Sequence, residues 1–175
     1  MGDMNDISCT IYWDKLNENA KVPTKRREDA GLDIYTIDDG VILKPLETKM
    51  FNTGLKSAFS KDFWIEIKER GSTGTIGLSV RSGVIDSGYR GEWFVPITNC
   101  NNVDFIIAKN GSFTNNFVHS YFGYKYKYIL YPYEKAIAQF VMIEVPEFEE
   151  KEISYEELQN IKSERGTGAL GSSNK

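Results

Sequence analysis

The chain has 175 residues, with 21 Lys plus Arg against 25 Asp plus Glu, for a formal net charge of −4. Hydrophobic residues at 41% and aromatics at 13% supply a core, which excludes general disorder, and the length suits one domain. No apolar run approaches the roughly 20 residues that span a bilayer, and a net negative chain is a poor match for duplex phosphates, so neither a membrane nor a nucleic acid is an expected partner.

Met1-Gly2-Asp3-Met4-Asn5-Asp6 carries no basic or apolar leader region, so the expected location is a cytoplasm. From there, β-type runs separated by Gly, Asn and Asp predict strands over 7–13, 33–36, 41–43, 49–55, 63–68, 93–98, 103–108, 124–130 and 136–144. Short strands at this spacing argue for an all-β sandwich or barrel. The stretch 99–133 is dense in Asn, Phe and Tyr. A Tyr- and Phe-rich surface segment suits protein recognition, and a longer hairpin burying its rings in the core is the alternative. One short helix is predicted at 154–161, where Ser154 followed by Glu157 has capping-box spacing. The tail 162–175 lacks core-forming residues and reads as a mobile arm. The organisation is thus a β domain over 1–161 and an arm over 162–175.

Cys9 and Cys100 read as two reduced thiols, since nothing argues for an oxidising compartment. The single histidine, His119, rules out a zinc site built on two. Glycine clusters in three places: Arg70-Gly71-Ser72-Thr73-Gly74-Thr75-Ile76-Gly77, Ser82-Gly83-Val84-Ile85-Asp86-Ser87-Gly88-Tyr89-Arg90-Gly91-Glu92, and the arm from Arg165 to Gly171. Glycine lets backbone N–H groups approach an anion, hydroxyls add donors, and Arg adds a forked cation. These are the residue types of a polyphosphate cradle and equally of ordinary turns. No run has Walker spacing. Asp86, at the edge of the apolar pair Val84-Ile85, can activate a water or serve the turn it begins.

Taken in order, these segments resemble the five motifs of the trimeric dUTPase family (deoxyuridine 5′-triphosphate nucleotidohydrolase). Ala30-Gly31-Leu32-Asp33-Ile34-Tyr35 looks like motif 1, Glu69-Arg70-Gly71-Ser72-Thr73-Gly74 like motif 2, and Ala136-Ile137-Ala138-Gln139-Phe140 like motif 4. The run Gly83 to Glu92 matches motif 3 almost letter for letter, and Arg165-Gly166-Thr167-Gly168-Ala169-Leu170-Gly171-Ser172-Ser173 looks like motif 5. The resemblance implies a jelly-roll-like β domain forming a homotrimer, with each site shared between subunits, and hydrolysis of dUTP to dUMP and pyrophosphate. It also implies Mg²⁺ carried mainly by the triphosphate, with no direct protein ligand and Asp33 near its water shell.

Carried over by position, Asp86 is the implied base for the attacking water, with Gln139 and Arg165 the other catalytic residues. Arg70, Ser72 and Gln139 are implied to hold phosphate oxygens or the water, with Gly71 and Thr73 also among the implied substrate-binding residues. Gly83, Val84, Ile85 and Tyr89 frame uracil and deoxyribose. Arg165, Gly168, Leu170, Gly171 and Ser172 close over the nucleotide. Arg90 and Glu92 are expected to serve the fold or an interface. Gly71 replaces the family's usual Ser, and Leu170 its usual Phe. The stretch about 101–133 resembles the insert of phage-type members, some of which contact other proteins, so a protein partner there is an expectation and the cytoplasm is bacterial or that of a phage-infected cell. The alternatives are a dCTP deaminase-type relative and a nucleotide-sensing regulator that binds a repressor.

Overall fold

A computed structural model describes residues 10–109, 120, 123 and 125–167. The chain divides into two compact units, Met1–Val145 and Pro146–Lys175. Among the described residues the first holds twelve strands: β1 (Tyr12–Lys15), β2 (Leu32–Ile34), β3 (Val41–Leu43), β4 (Thr48–Asn52), β5 (Leu55–Ala58), β6 (Phe63–Lys68), β7 (Leu78–Val80), β8 (Val84–Ile85), β9 (Phe94–Asn99), β10 (Asp104–Ala108), β11 (Tyr128–Pro132) and β12 (Ala138–Glu144). A single helical turn, α1 (Gly71–Gly74), lies between β6 and β7.

The strands form four small sheets, ordered β2-β12-β6-β8, β4-β9-β7, β11-β10-β3 and β1-β5. Alternation decides which faces turn inward. In β6, Ile65 and Ile67 are buried while Glu66 is half-buried and Lys68 exposed. β10 is buried along its whole length, as expected for a central strand covered on both faces. The sheets share one core, in which Trp93 is fully buried and meets Trp13 edge-on at 4.9 Å and Phe140 at 5.4 Å. Its indole Nε1 donates to Ser57 Oγ at 3.1 Å, so the one polar atom of the largest core side chain is satisfied. The expected all-β, jelly-roll-like class is what the chain adopts.

Three local expectations are corrected. The run 49–55 is two strands, because Gly54 sits at φ +67 and Thr53 turns its hydroxyl onto Trp93 O at 2.9 Å. The segment Gly71–Gly74 is helical rather than an open loop. Thr73 supplies the reason, since its hydroxyl accepts from Arg70 N at 3.0 Å and donates to Arg70 O at 3.2 Å. The stretch 101–133 is not one surface segment. Its two ends form the pair β10 and β11, which is parallel, with Asp104 opposite Tyr128. A parallel pair needs a crossover rather than a hairpin turn, and residues 109–127 supply it. Tyr131 and Tyr133 join the core.

Asp104, 6% exposed, anchors the returning limb of that crossover: Lys44 Nζ donates to it at 2.5 Å, and the Tyr126 hydroxyl also donates to it. Burial and this carboxylate push the Tyr126 phenol up to about 12. Positions 110–119, 121, 122 and 124, which include His119, lie outside the described residues, as does Cys9. Cys100 is a free, exposed thiol.

In the second unit, helix α2 (Tyr155–Asn160) forms where expected. Ser154 Oγ accepts from Glu157 N at 3.2 Å and Glu157 accepts from Ser154 N at 2.9 Å, completing the capping box. The Ser154 backbone N–H and hydroxyl hold the Glu157 carboxyl below its ordinary value. No residue of this helix is buried.

Candidate active site

The sheet order β2-β12-β6 brings three chemical groups together by register. Gln139 on β12 lies opposite Asp33 on β2 and Lys68 on β6, and two residues past Lys68 the chain reaches Arg70. Arg70 Nε donates to Asp33 Oδ1 at 2.7 Å and Nη2 donates to Oδ2 at 3.2 Å. This fork-to-fork pairing fixes the guanidinium plane. The remaining nitrogen, Nη1, reaches Ser72 Oγ at 3.3 Å and Ala136 O at 3.4 Å. Gln139 Nε2 donates to Glu69 O at 2.9 Å, holding its amide at the mouth of the same cleft. A Cβ at Gly31 would stand 2.4 Å from Gln139 Oε1, so the glycine of the Ala30-Gly31 pair makes room for that amide.

The cleft has a volume of about 850 Å³ and is lined by Arg70, Gly71, Ser72, Asp33 and Gln139 together with Gly31 and, from the preceding loop, Thr24, Lys25, Arg26, Asp29 and Ala30. Gly71 and Ser72 are exposed, and nothing lies within 4 Å of the place a Cβ at Gly71 would take. Thr73, expected among the ligand contacts, is fully buried. Its hydroxyl is spent on the turn, which makes it a positioning residue. Glu69 works the same way from the other side, as its Oε1 accepts from Val80 N at 2.7 Å and Ser79 Oγ at 3.1 Å. Burial raises the Glu69 carboxyl, but these hydrogen bonds outweigh it and the net direction is downward.

The second group lies at the far end of β6. β8 pairs with it through Ile65 opposite Ile85 and Glu66 opposite Val84, and Ile67 N donates to Gly83 O at 2.7 Å. A Cβ at Gly83 would stand 2.3 Å from Ile67 O, so only glycine fits there. The chain then turns, with Tyr89 N donating to Asp86 O at 3.0 Å and Tyr89 OH donating to Glu92 O at 3.0 Å. Val84, Asp86 and Tyr89 are exposed around a smaller pocket of about 250 Å³ that Ile85 also lines. Among the described residues the Asp86 carboxylate has no hydrogen-bond or ion-pair partner. Glu92 accepts from Gly54 N at 2.9 Å and Arg90 donates to Ser87 O at 2.5 Å. Both therefore brace the hairpin, as the sequence reading expects.

The two groups stand apart within one chain. Continuing the register puts Asp86 level with Trp64, six residues from Arg70, or about 20 Å along an extended strand. Arg70 lines the larger cleft and Asp86 the smaller pocket, with no lining residue in common. Arg165 belongs to the second unit and is exposed. The expected contacts Gly168, Leu170, Gly171 and Ser172 lie outside the described residues. Among the described residues no three His, Cys, Asp or Glu converge as metal ligands, and both Asp33 oxygens already accept from Arg70. Sequence reading missed Lys25, Arg26 and Asp29 in the cleft wall, since the charge run Lys25-Arg26-Arg27-Glu28-Asp29 reads as solvated surface.

Fold and site together define a β domain that carries a cleft lined by Arg70, Ser72 and Gln139 and, separately, a hairpin exposing an unpartnered carboxylate beside an aromatic ring. Comparison with known proteins narrows this. The dUTPase family model matches residues 18–114. A deoxyuridine 5′-triphosphate nucleotidohydrolase of Nautilia profundicola is 36% identical over 167 residues, which is 92% of this chain and 96% of the relative. One of Clostridium novyi is 36% identical over 103 residues, covering 57% of this chain and 72% of that protein. Among solved structures, the dUTPase of Staphylococcus bacteriophage 80alpha with dUPNHPP superposes with a TM-score of 0.73 at 24% identity, covering 95% of this chain and 99% of that one. The EIAV dUTPase gives a TM-score of 0.59 at 18% identity, covering 83% of this chain and 98% of that one. The chain belongs to the dUTPase family.

Proposed function

We propose that this protein hydrolyses dUTP to dUMP and pyrophosphate. The observation that carries the reading is the unpartnered Asp86 carboxylate on a hairpin shaped by Gly83 and Tyr89, in a chain whose other end of β6 presents the Arg70–Ser72–Gln139 cleft. The Asp86 carboxylate takes a proton from a water, and the water oxygen forms a bond to the α-phosphorus. The bond from that phosphorus to the α,β-bridging oxygen breaks, and its electron pair leaves with pyrophosphate. Arg70 and Ser72 donate to the phosphate oxygens, and Gln139 offers its second amide N–H. This is catalysis by positioning and charge neutralisation.

Tyr89 packs under the deoxyribose and leaves no space for a 2′-hydroxyl. The backbone of the Gly83–Tyr89 hairpin reads uracil, so cytosine leaves buried groups unpaired. In this reading a Mg²⁺ ion is carried by the triphosphate with Asp33 beside its water shell, and when bound it would supply charge neutralisation on the leaving group. Arg165 and the glycines after it close over the γ-phosphate in this reading, and residues 162–175 act as the arm that brings them.

A separation of about 20 Å is too long for Asp86 and Arg70 of one chain to act on one triphosphate. The site therefore forms between copies in a homotrimer, one copy giving the hairpin and another the cleft. A protein partner at 101–133 is a narrower proposal, supported by the exposed Leu130 of β11 and by the phage dUTPases among the structural neighbours, which are described as controlling transfer of virulence genes. No helix among the described residues is long and apolar enough to cross a membrane; a cytoplasmic site of action is part of this proposal and rests on the family resemblance.

The test is pyrophosphate release from dUTP, dTTP, dCTP and UTP with Mg²⁺. Turnover confined to dUTP and lost in Asp86→Asn is expected; equal turnover of UTP, ammonia release from dCTP, or an active Asp86→Asn would overturn the reading. Mixing Asp86→Asn with Arg70→Ala and allowing subunits to exchange should restore about a quarter of the sites, because each hairpin and cleft is drawn independently. No recovery would place the whole site within one chain.

A further inference from the structure

The cleft that holds Arg70 has a second, unassigned fork. Arg26 Nε donates to Asp29 Oδ2 at 2.8 Å and Arg26 Nη2 donates to Oδ1 at 3.1 Å, repeating four residues earlier the pairing of Arg70 with Asp33. Arg26 and Asp29 both line the cleft, with Lys25 beside them. The loop that carries them is built rather than loose. Asp33 N donates to Thr24 O at 3.0 Å, Asp29 N donates to Arg26 O at 3.1 Å, and Lys25 Nζ donates to Asp29 O at 2.7 Å. Arg26 and Asp29 line the same cleft as Arg70 and Asp33, so the two forks face one space.

Stability does not explain the Arg26–Asp29 pair. The Arg26 side chain is 88% exposed, and ion pairs that exposed are screened by water and contribute little. What the pair does is orient. It occupies Nε and Nη2 and, among the described residues, leaves the Nη1 edge without a partner, whereas the corresponding edge of Arg70 is already turned to Ser72 and Ala136. The charged groups on the cleft wall are Lys25, Arg26 and Arg70 against Asp29 and Asp33, a positive balance that removal of Arg26 would cancel. An oriented guanidinium edge on a positive wall matches the oxygens of a terminal phosphate.

We propose that Arg26, aimed by Asp29, is a second oxyanion fork of the cleft and grips the end of the substrate's phosphate chain away from the sugar. The inference rests on the dUTP reading for the identity of that chain, but the fork itself is specific for polyphosphate and can be read without turnover. Arg26 is a binding residue and Asp29 a positioning residue.

The test uses the full chain in its native assembly. Arg26→Ala should raise KM for dUTP about tenfold while kcat moves less, the loss expected for a single charge-assisted contact at an open site. Inorganic pyrophosphate, measured by calorimetry, should weaken by the same factor, while inhibition by dUMP, which lacks the distal phosphates, stays put. Asp29→Asn should give a smaller rise in KM, and Arg26→Lys should recover only part of the loss because a point charge lacks the fork. Pyrophosphate and dUTP affinities indistinguishable from wild type in Arg26→Ala would overturn the proposal, as would an equal shift for dUMP. Wild-type protein that binds pyrophosphate through Arg26 but turns over no dUTP would instead sink the reading of function and leave the fork standing.

Discussion

Replacing Gly83 by alanine tests whether strand register positions the hairpin. The new Cβ would stand 2.3 Å from Ile67 O and 3.3 Å from Ile67 C and N, all backbone atoms. Neither side can rotate away, so β8 and β6 must part by about 0.7 Å to restore a tolerable contact. Parting stretches the Ile67 N–Gly83 O hydrogen bond, now 2.7 Å. A lost backbone bond costs about 1 kcal/mol and residual strain brings the total to about 2–3 kcal/mol, seen as a urea midpoint lower by about 1 M at unchanged slope. The same shift moves Asp86, and a misplacement near 1 Å is enough to cost about 100-fold in turnover. Urea unfolding and pyrophosphate release from dUTP read the two effects separately. Gly88→Ala is the control for stability: in the same hairpin its Cβ would meet nothing within 4 Å, so the midpoint should stay near wild type. Gly83→Ala with a wild-type midpoint would refute the packing argument, and a destabilised Gly83→Ala with wild-type turnover would refute the link from register to catalysis.

Asp33→Asn leaves Arg70 with one neutral acceptor in place of a carboxylate, at side chains 28% and 32% exposed. Discounted for that exposure, the loss is about 1.5 kcal/mol, or about 4 °C in Tm by calorimetry, together with a higher KM for dUTP; an unchanged Tm would show that the pair is ornamental. Glu69 titrates lower folded than unfolded, so its contribution to stability is complete above the unfolded value near 4.3 and fades as pH falls through the folded one. Glu69→Gln should therefore flatten the acid side of a stability–pH profile below about pH 4.5, and an unaltered acid limb would contradict the assignment. Arg165→Ala, or truncation after Ser163, should lower kcat for dUTP strongly while size-exclusion chromatography shows the same oligomer; unchanged turnover would remove the arm from the mechanism.

The architecture was legible wherever alternation and burial agree. β3 and β6 carry the predicted bounds because their apolar residues face one core without interruption, and the capping box of Ser154 and Glu157 is set by side chains three residues apart. The misread parts are those where a tertiary contact overrides a local preference. Thr73 converts a Gly-Ser-Thr-Gly run into a helical turn by bonding to both polar groups of the Arg70 backbone. The tyrosines after Tyr126 suggest the second arm of a hairpin, yet Asp104, by gathering Lys44 and Tyr126, closes a crossover whose strands run in the same direction. Neither contact leaves a periodic trace in the sequence.

The site was legible as motifs but not as a geometry. Arg70, Ser72 and Gln139 are far apart in sequence, and only the order β2-β12-β6 explains why they meet. The same strand order also explains why Asp86 does not meet them. β6 carries the cleft beyond Lys68 and supports the hairpin opposite Ile65, so one rigid strand holds both halves at fixed spacing. Side-chain rotation spans a few ångströms at most, and closing a gap of about 20 Å would require unpairing the central strand of the sheet. A second copy would close it without disturbing the core. That is the physical argument for a site shared between chains, and it rests on strand register rather than on the length or flexibility of the arm.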